Sequence, residues 1–257
     1  PPCFFSKTGQ LWGHPLYQWK AHETSHYKWW KSRFNKLYKM VDIIRIDHFN
    51  GIAKYWKVPA GSSTAMNGEW VEGPGENLFE EIFNCVGENA IIAEDLGEAE
   101  QEAAELKNKY GIPGMKILQF AFGNGHKSYP HNYPENCVVY TGTHDNDTTV
   151  GWFHSQPGEG NTQTKNEIKA ERKKVLKYLK TDGKEIHWDM IKTALSSKAN
   201  TVIIPLQDIL GLDSSARMNV PGTVSGNWRW RFDWTMLTEE KMHQMKNLTT
   251  KFNRNYI

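Results

Sequence analysis

A chain of 257 residues with 39% hydrophobic content is long enough for one large α/β barrel or two small domains. Its net charge of +2 arises from 31 basic and 29 acidic residues spread along the chain, which gives no electrostatic case for nucleic acid or an anionic membrane as partner. Cys3, Cys85 and Cys137 are widely spaced and lack a Cys-x-x-Cys, arguing against a disulfide framework or structural zinc and for a reducing compartment. There is no apolar run of membrane-spanning length and no signal-peptide pattern.

The chain opens at Pro1-Pro2-Cys3 without an initiator Met, so a preceding segment is expected. Residues 9–19 have the Gly, Pro and aromatic content of a loop, with Trp12, Tyr17 and Trp19 available to stack on a ligand. From His22 to Met40 the spacing of Tyr27, Trp30, Phe34, Leu37 and Tyr38 predicts an amphipathic helix. Val41 to Ile46 then reads as a buried strand that ends in Arg45, Asp47 and His48, with Gly51 closing the turn. Side chains alternate along a strand, so Arg45 and Asp47 are expected on one side, guanidinium beside carboxylate.

Residues 54–76 carry three turn signals, Pro59-Ala60-Gly61, Asn67-Gly68 and Gly73-Pro74-Gly75, and are expected to be a long irregular binding loop. A helix over 76–85 leads to a second strand, Ala90 to Ala93, ending in Glu94 and Asp95. A helix over 98–110, a strand over 115–120 and a fourth strand from Cys137 ending at His144 and Asp145 follow. Residues 154–165 are a polar insertion, helices are expected over 167–179 and 188–197, and Thr201 to Asp208 supplies a fifth strand. The basic cluster from Lys169 to Lys180 reads as a solvated helix face.

Strands separated by helices imply parallel pairing through crossovers, and ligands in such folds meet the carboxyl ends of strands. The expected fold class is therefore α/β, a (β/α)8 barrel of which about five of the eight strands lie in this chain. Residues 1–257 then form the C-terminal portion of a catalytic barrel, with insertions near 54–76 and 154–165. The upstream part of the same enzyme is an expected partner.

Asp47, Glu94 and Asp145 all sit at strand ends. Two chemistries use such a set. In retaining glycosidic cleavage one carboxylate attacks the anomeric carbon while a second carboxylic acid protonates the leaving oxygen. In a barrel hydrolase or isomerase, Asp47, His48, Glu94, Asp95, His144 and Asp145 would instead ligate a divalent metal. Composition leaves both open, although 11 Trp residues favour sugars, whose CH faces stack on indole rings.

A series of motifs adds a resemblance. Gly9-Gln10-Leu11-Trp12-Gly13, Arg45-Ile46-Asp47-His48-Phe49, Gly73-Pro74-Gly75 and Ile91-Ile92-Ala93-Glu94-Asp95-Leu96-Gly97 come first. Pro113-Gly114-Met115-Lys116, Thr143-His144-Asp145-Asn146, Pro205-Leu206-Gln207-Asp208, Arg217-Met218-Asn219, Pro221-Gly222-Thr223 and Gly226-Asn227-Trp228-Arg229-Trp230 continue in order. The series resembles the 4-α-glucanotransferases, also called amylomaltases or disproportionating enzymes, of glycoside hydrolase family 77, over nearly the whole chain. His14 departs from the Asn usual in that family.

The resemblance implies a transferase moving α-1,4-glucan segments from a donor to an acceptor glucan by double displacement. Asp47 is then the nucleophile, Glu94 the general acid and base, and Asp145 the third carboxylate, which holds the distorted donor sugar. Arg45, His48 and His144 fall around the donor glucose, and Gln10, Trp12, Phe120 and Asn219 along the glucan groove. No metal or organic cofactor is implied. Either the cytoplasm or a plastid stroma fits such an enzyme. A non-catalytic glucan-binding fragment is the third reading.

Overall fold

In a computed structural model, which describes residues 1–2, 6–86, 91–97, 101–123, 128–158 and 163–254, the chain divides into two units, Pro1–Met115 and Lys116–Ile257.

The first unit begins with helices α1 (Trp19–Thr24) and α2 (Lys28–Tyr38). The single helix expected over 22–40 is broken because His26 and Tyr27 take left-handed backbone angles, φ +49° and +50°. Each such residue costs about 1–2 kcal/mol. The bend turns Tyr27 inward until it is 4% exposed, and burial of its ring beside Phe34 offsets the strain. Trp19, Trp30 and Leu37 pack against the same core.

Strand β1 is only Ile44–Ile46, followed by helix α3 (Asn50–Ala53). This corrects the expectation of a buried strand from Val41: Val41 and Ile43 are 46% and 52% exposed, and of the first four apolar residues Ile44 alone is buried. Residues 54–76 are also more ordered than expected. Strands β2 (Lys54–Lys57) and β3 (Glu69–Glu72) form an antiparallel hairpin in which Trp56 faces Trp70 with ring centroids 5.4 Å apart. Such cross-strand aromatic pairs stabilise a two-stranded ribbon. The irregular part is the loop between the strands. Helix α4 (Gly75–Val86), strand β4 (Ile91–Ala93) and helix α5 (Gln101–Lys109) follow, and β4 lies parallel to β1 with Ile44 opposite Ile91 and Ile46 opposite Ala93. Parallel pairing across α4 agrees with the crossover expected. Residues 98–100, included in the expected helix, lie outside the described residues. The next strand, β5, is Gly114–Ile117, so the first unit ends within it.

The second unit continues from β5 into a 3₁₀ turn, Leu118–Ala121, where a longer strand was expected. Strand β6 (Cys137–Tyr140) is buried along its whole length. Helix α6 (Thr149–His154) is capped by the Thr148 hydroxyl, which accepts from the Gly151 N–H at 3.0 Å. Helix α7 (Lys165–Leu179) starts with a capping box between Thr164 and Glu167, and Lys169, Lys173 and Lys177 lie on its exposed face, as the charge pattern implied. Helix α8 (Ile186–Ser196) lies over the core, with Met190, Ile191 and Ala194 fully buried. Strand β7 (Thr201–Ile203) pairs parallel to β6, Val139 opposite Val202, in a sheet of order β5, β6, β7. Helix α9 (Leu206–Leu210) begins where the fifth strand was expected to continue, because Pro205 ends the ladder and supplies the helix start. Helix α10 (Glu239–Lys251) was not legible as a helix and packs Leu248 beside Trp188 and Ile191.

Candidate active site

In the first unit the site is built at the shared end of β1 and β4. The Glu94 N–H donates to the Ile46 carbonyl at 2.9 Å and the Phe49 N–H to the Glu94 carbonyl at 3.0 Å, extending the parallel ladder beyond the strands. Phe49 is completely buried, so the turn bearing Asp47 and His48 is anchored on both sides.

Arg45 and Asp47 are paired as expected, although Asp47 lies one residue past β1 in the turn: Arg45 Nη2 is 2.8 Å from Asp47 Oδ1. Arg45 Nε donates to the thioether of fully buried Met115 at 3.3 Å, which fixes the other edge of the guanidinium. Asp47 itself is open to solvent, its side chain 76% exposed. Glu94 is placed differently. Its two carboxyl oxygens accept the backbone N–H groups of His48 at 2.8 Å and Leu96 at 3.1 Å. Burial pushes the Glu94 carboxyl above its usual range; those two N–H groups and Arg45 oppose the shift, and the charge of Asp47 adds to it. Two neighbouring carboxyl groups therefore sit in unlike environments, the condition for dividing acid and nucleophile roles between them.

His48 has φ +49°, which aims its N–H at Glu94, and its ring lies so close to Gly51 that a Cβ there would meet Nδ1 at 2.8 Å. Burial lowers the His48 pKa; Asp47 opposes this and His14 adds to it. A neutral imidazole suits hydrogen bonding to a sugar hydroxyl. His14, singled out in the sequence only as a departure from the family pattern, thus contributes to the electrostatics of His48. Gln10 and Trp12 lie on an exposed loop and bond to each other, Trp12 Nε1 to Gln10 Oε1 at 3.1 Å.

Asp95 faces away from this chemistry. It accepts the Met115 N–H at 2.8 Å and pairs with Lys107 at 2.6 Å. Gly114 is required there, because a Cβ would come within 2.3 Å of Asp95 Oδ2. Among the described residues no group of three or more His, Cys, Asp or Glu is placed to share a metal ion.

In the second unit Asp145 lies in the turn between β6 and α6. The Thr143 N–H and hydroxyl both donate to Asn146 Oδ1, at 2.9 and 2.8 Å, closing that turn locally. Asn219 Nδ2 donates to Asp145 Oδ1 at 2.6 Å and His144 Nε2 lies 3.3 Å from Oδ2. Arg217 Nη2 donates to the Asp145 carbonyl at 2.7 Å. Trp228, with its ring centroid 5.3 Å from that of His144, completes the cluster. Phe120 is half-buried in the 3₁₀ turn after β5.

Asp208 anchors this turn from below. Its carboxyl accepts the Thr141 hydroxyl at 2.5 Å and the Thr149 N–H at 2.7 Å, tying the end of β6 to the start of α6. Burial raises its pKa against those hydrogen bonds. Arg217, Trp228 and Asp208 belong to motifs visible in the sequence, but no role was legible for them, since their partners lie about 60 to 80 residues away along the chain.

The family model described as 4-alpha-glucanotransferase matches residues 1–238. The chloroplastic/amyloplastic 4-alpha-glucanotransferase of Arabidopsis thaliana is 50% identical over 234 residues, 90% of this chain and 39% of that protein. The 4-alpha-glucanotransferase of Synechocystis sp. is 44% identical over 259 residues, covering 99% of this chain and 49% of that one. Among solved structures, amylomaltase from Streptococcus agalactiae in complex with acarbose superposes with a TM-score of 0.87 at 38% identity, covering 98% of this chain and 50% of that one. The chain spans about two-fifths to one half of the length of these relatives. It has their α/β fold and belongs to glycoside hydrolase family 77, the 4-alpha-glucanotransferases.

Proposed function

We propose that this chain carries the catalytic groups of an enzyme that transfers α-1,4-glucan segments between maltooligosaccharide or starch chains with retention of configuration. The observation that carries the reading is the unlike pair at the ends of β1 and β4: solvent-open Asp47 beside Arg45, and Glu94, half-buried, with its pKa raised. In the first step the Asp47 carboxylate attacks the anomeric carbon while Glu94 gives its proton to the departing glycosidic oxygen. A covalent β-glucosyl ester results and the leaving glucan carries a free 4-hydroxyl. In the second step Glu94, now ionised, takes the proton of an acceptor's 4-hydroxyl, whose oxygen attacks the anomeric carbon and releases Asp47. Two inversions give retention.

Glu94 is suited to both steps because its charge and that of Asp47 are linked: esterification of Asp47 removes the neighbouring negative charge and lowers the Glu94 pKa as it becomes the base. In this reading Asp145 holds the donor sugar, while Arg45, His48 and His144 contact it and Gln10, Trp12, Phe120 and Asn219 line the glucan path. The mechanism needs no metal or organic cofactor. The enzyme is assigned to the cytoplasm, or in a plant or alga to the plastid, the compartment in the name of the Arabidopsis relative.

The reading extends to the fold. We take β1 and β4 to β7 as later strands of a (β/α)8 barrel, supported by the parallel pairs β1 with β4 and β6 with β7 and by functional carboxylates at strand ends. Ile43 and Ile203, 52% and 41% exposed, are the apolar positions that further strands from an upstream part of the enzyme would cover. An ordered, monomeric and fully active preparation of these 257 residues would defeat that extension.

The test is chromatography of the products from maltotriose with chelator present. Glucose together with oligosaccharides longer than the donor is expected, and Asp47→Asn or Glu94→Gln should each lower the rate about a hundredfold or more. Glucose and maltose alone would indicate hydrolysis, and undiminished rates in both variants would remove the assignment.

A further inference from the structure

We propose that Arg217 is a positioning residue that sets the carboxylate of Asp145 in place for the donor sugar; the inference rests on the role given to Asp145 above. The Asp145 turn closes on itself only weakly at the functional residue: the Asp145 N–H reaches the Thr143 hydroxyl at 3.3 Å, a long contact. What fixes Asp145 comes from residues 217–219. Arg217 Nη2 donates to the Asp145 carbonyl at 2.7 Å, and Arg217 Nε donates to the Asn219 carbonyl at 2.9 Å. Asn219 then returns its side-chain amide to Asp145 Oδ1 at 2.6 Å.

These three bonds form a closed circuit. One planar guanidinium holds the main chain of Asp145 and that of Asn219 at a fixed separation, and that separation puts the Asn219 amide against the carboxylate. The charge of Arg217 is directed at two carbonyl oxygens, so its effect on Asp145 is one of geometry. The intervening residue is pinned too: the Trp228 N–H donates to the Met218 carbonyl at 2.6 Å, and Trp228 lies against His144, whose Nε2 faces the other carboxylate oxygen. A lysine cannot reproduce this arrangement, because a single ammonium lacks two donors fixed in one plane at the required spacing.

The experiment is a double-mutant cycle of Arg217→Ala with Asp145→Ala, read as kcat and KM for transfer from maltotriose, with Arg217→Lys and added free guanidinium as further arms. Arg217→Ala should lower kcat roughly thirtyfold and weaken maltotriose binding by a smaller factor, since misplacement of about 1 Å in a positioned group costs up to about a hundredfold. Free guanidinium should restore part of that rate, whereas Arg217→Lys should restore little. In the Asp145→Ala background the Arg217 substitution should change kcat less than about threefold. Equal effects in both backgrounds, or a lowered melting temperature with full kcat, would overturn the inference. If the unsubstituted chain alone makes no transfer products, the upstream strands proposed above are what it lacks, and the cycle moves to a binding readout. The same cycle is then read on maltotriose affinity by calorimetry, where coupling supports and additivity overturns the link between Arg217 and Asp145.

Discussion

Each unit places a structural carboxylate behind one proposed to be catalytic, and the two are held by different physics. Behind Glu94, Asp95 meets a cation: Lys107 pairs with it at 2.6 Å, with side-chain exposures of 16% and 14%. Behind Asp145, Asp208 is 1% exposed and accepts from neutral donors, the Thr141 hydroxyl and the Thr149 N–H, with no Lys or Arg paired to it among the described residues. An ion pair that is mostly desolvated survives only while both partners are present. Burial disfavours the charged form of Asp208 and so drives its pKa upward against those donors, which leaves it a group that serves through its acceptor oxygens more than through its charge. The same residue type is therefore replaceable in one place and not in the other.

That contrast can be broken by substitution. Asp95→Ala should destabilise the first unit by about 3–5 kcal/mol, because Lys107 is left largely buried without its partner. Asp95→Asn should be nearly as damaging, and adding Lys107→Met to Asp95→Ala should recover most of the loss; denaturant unfolding measures all three. In the second unit Asp208→Ala should cost about 2–3 kcal/mol by stranding the Thr141 hydroxyl and the Thr149 N–H. Asp208→Asn should cost less than about 1 kcal/mol, since its carbonyl can accept from Thr149 while its amide donates to the rotated Thr141 hydroxyl. If Asn at 95 and Asn at 208 prove equally costly, the distinction between the two sites is wrong.

The same difference decides what the sequence makes visible. Arg45 and Asp47 were legible as a pair because alternation along the expected strand puts them on one side, and Glu94 because a short β-branched run stops at it. Both depend on residues one or two positions away. The Asp145 turn was legible as a strand end, yet its support was not, since Arg217 and Asn219 reach it from more than 70 residues further on. Trp56 and Trp70 escaped for a related reason: turn signals filled the segment between them, and nothing local announced that they pair across a hairpin. The break at Tyr27 was hidden because its helical spacing is genuine, and only packing of the ring beside Phe34 selects the bend. Asp95 was read as a possible metal ligand, and its partner Lys107 explains why it is directed away from Asp47.

The smallest expected effect sharpens the comparison at Glu94, which combines features of both sites: partly opposed by a cation, yet held by neutral N–H donors. Burial raises its pKa above the unfolded value, so between those two values the folded chain binds more protons than the unfolded chain. Stability contributed by protonated Glu94 is then complete below the ordinary carboxylate pKa of about 4.3 and falls as pH rises towards the raised value. The constant cost of substituting Gln, whose amide must face a backbone N–H, cancels when only the slope with pH is compared. Unfolding free energies of the parent and Glu94→Gln, taken at a series of pH values from about 4 to 7, should therefore differ progressively less in the parent's favour as pH rises. Asp47→Asn should narrow the window, because a neighbouring negative charge is removed, and Arg45→Met should widen it. A flat difference across the range would show that Glu94 is not held in its acid form by the fold, and the division of roles between Glu94 and Asp47 would lose its physical basis.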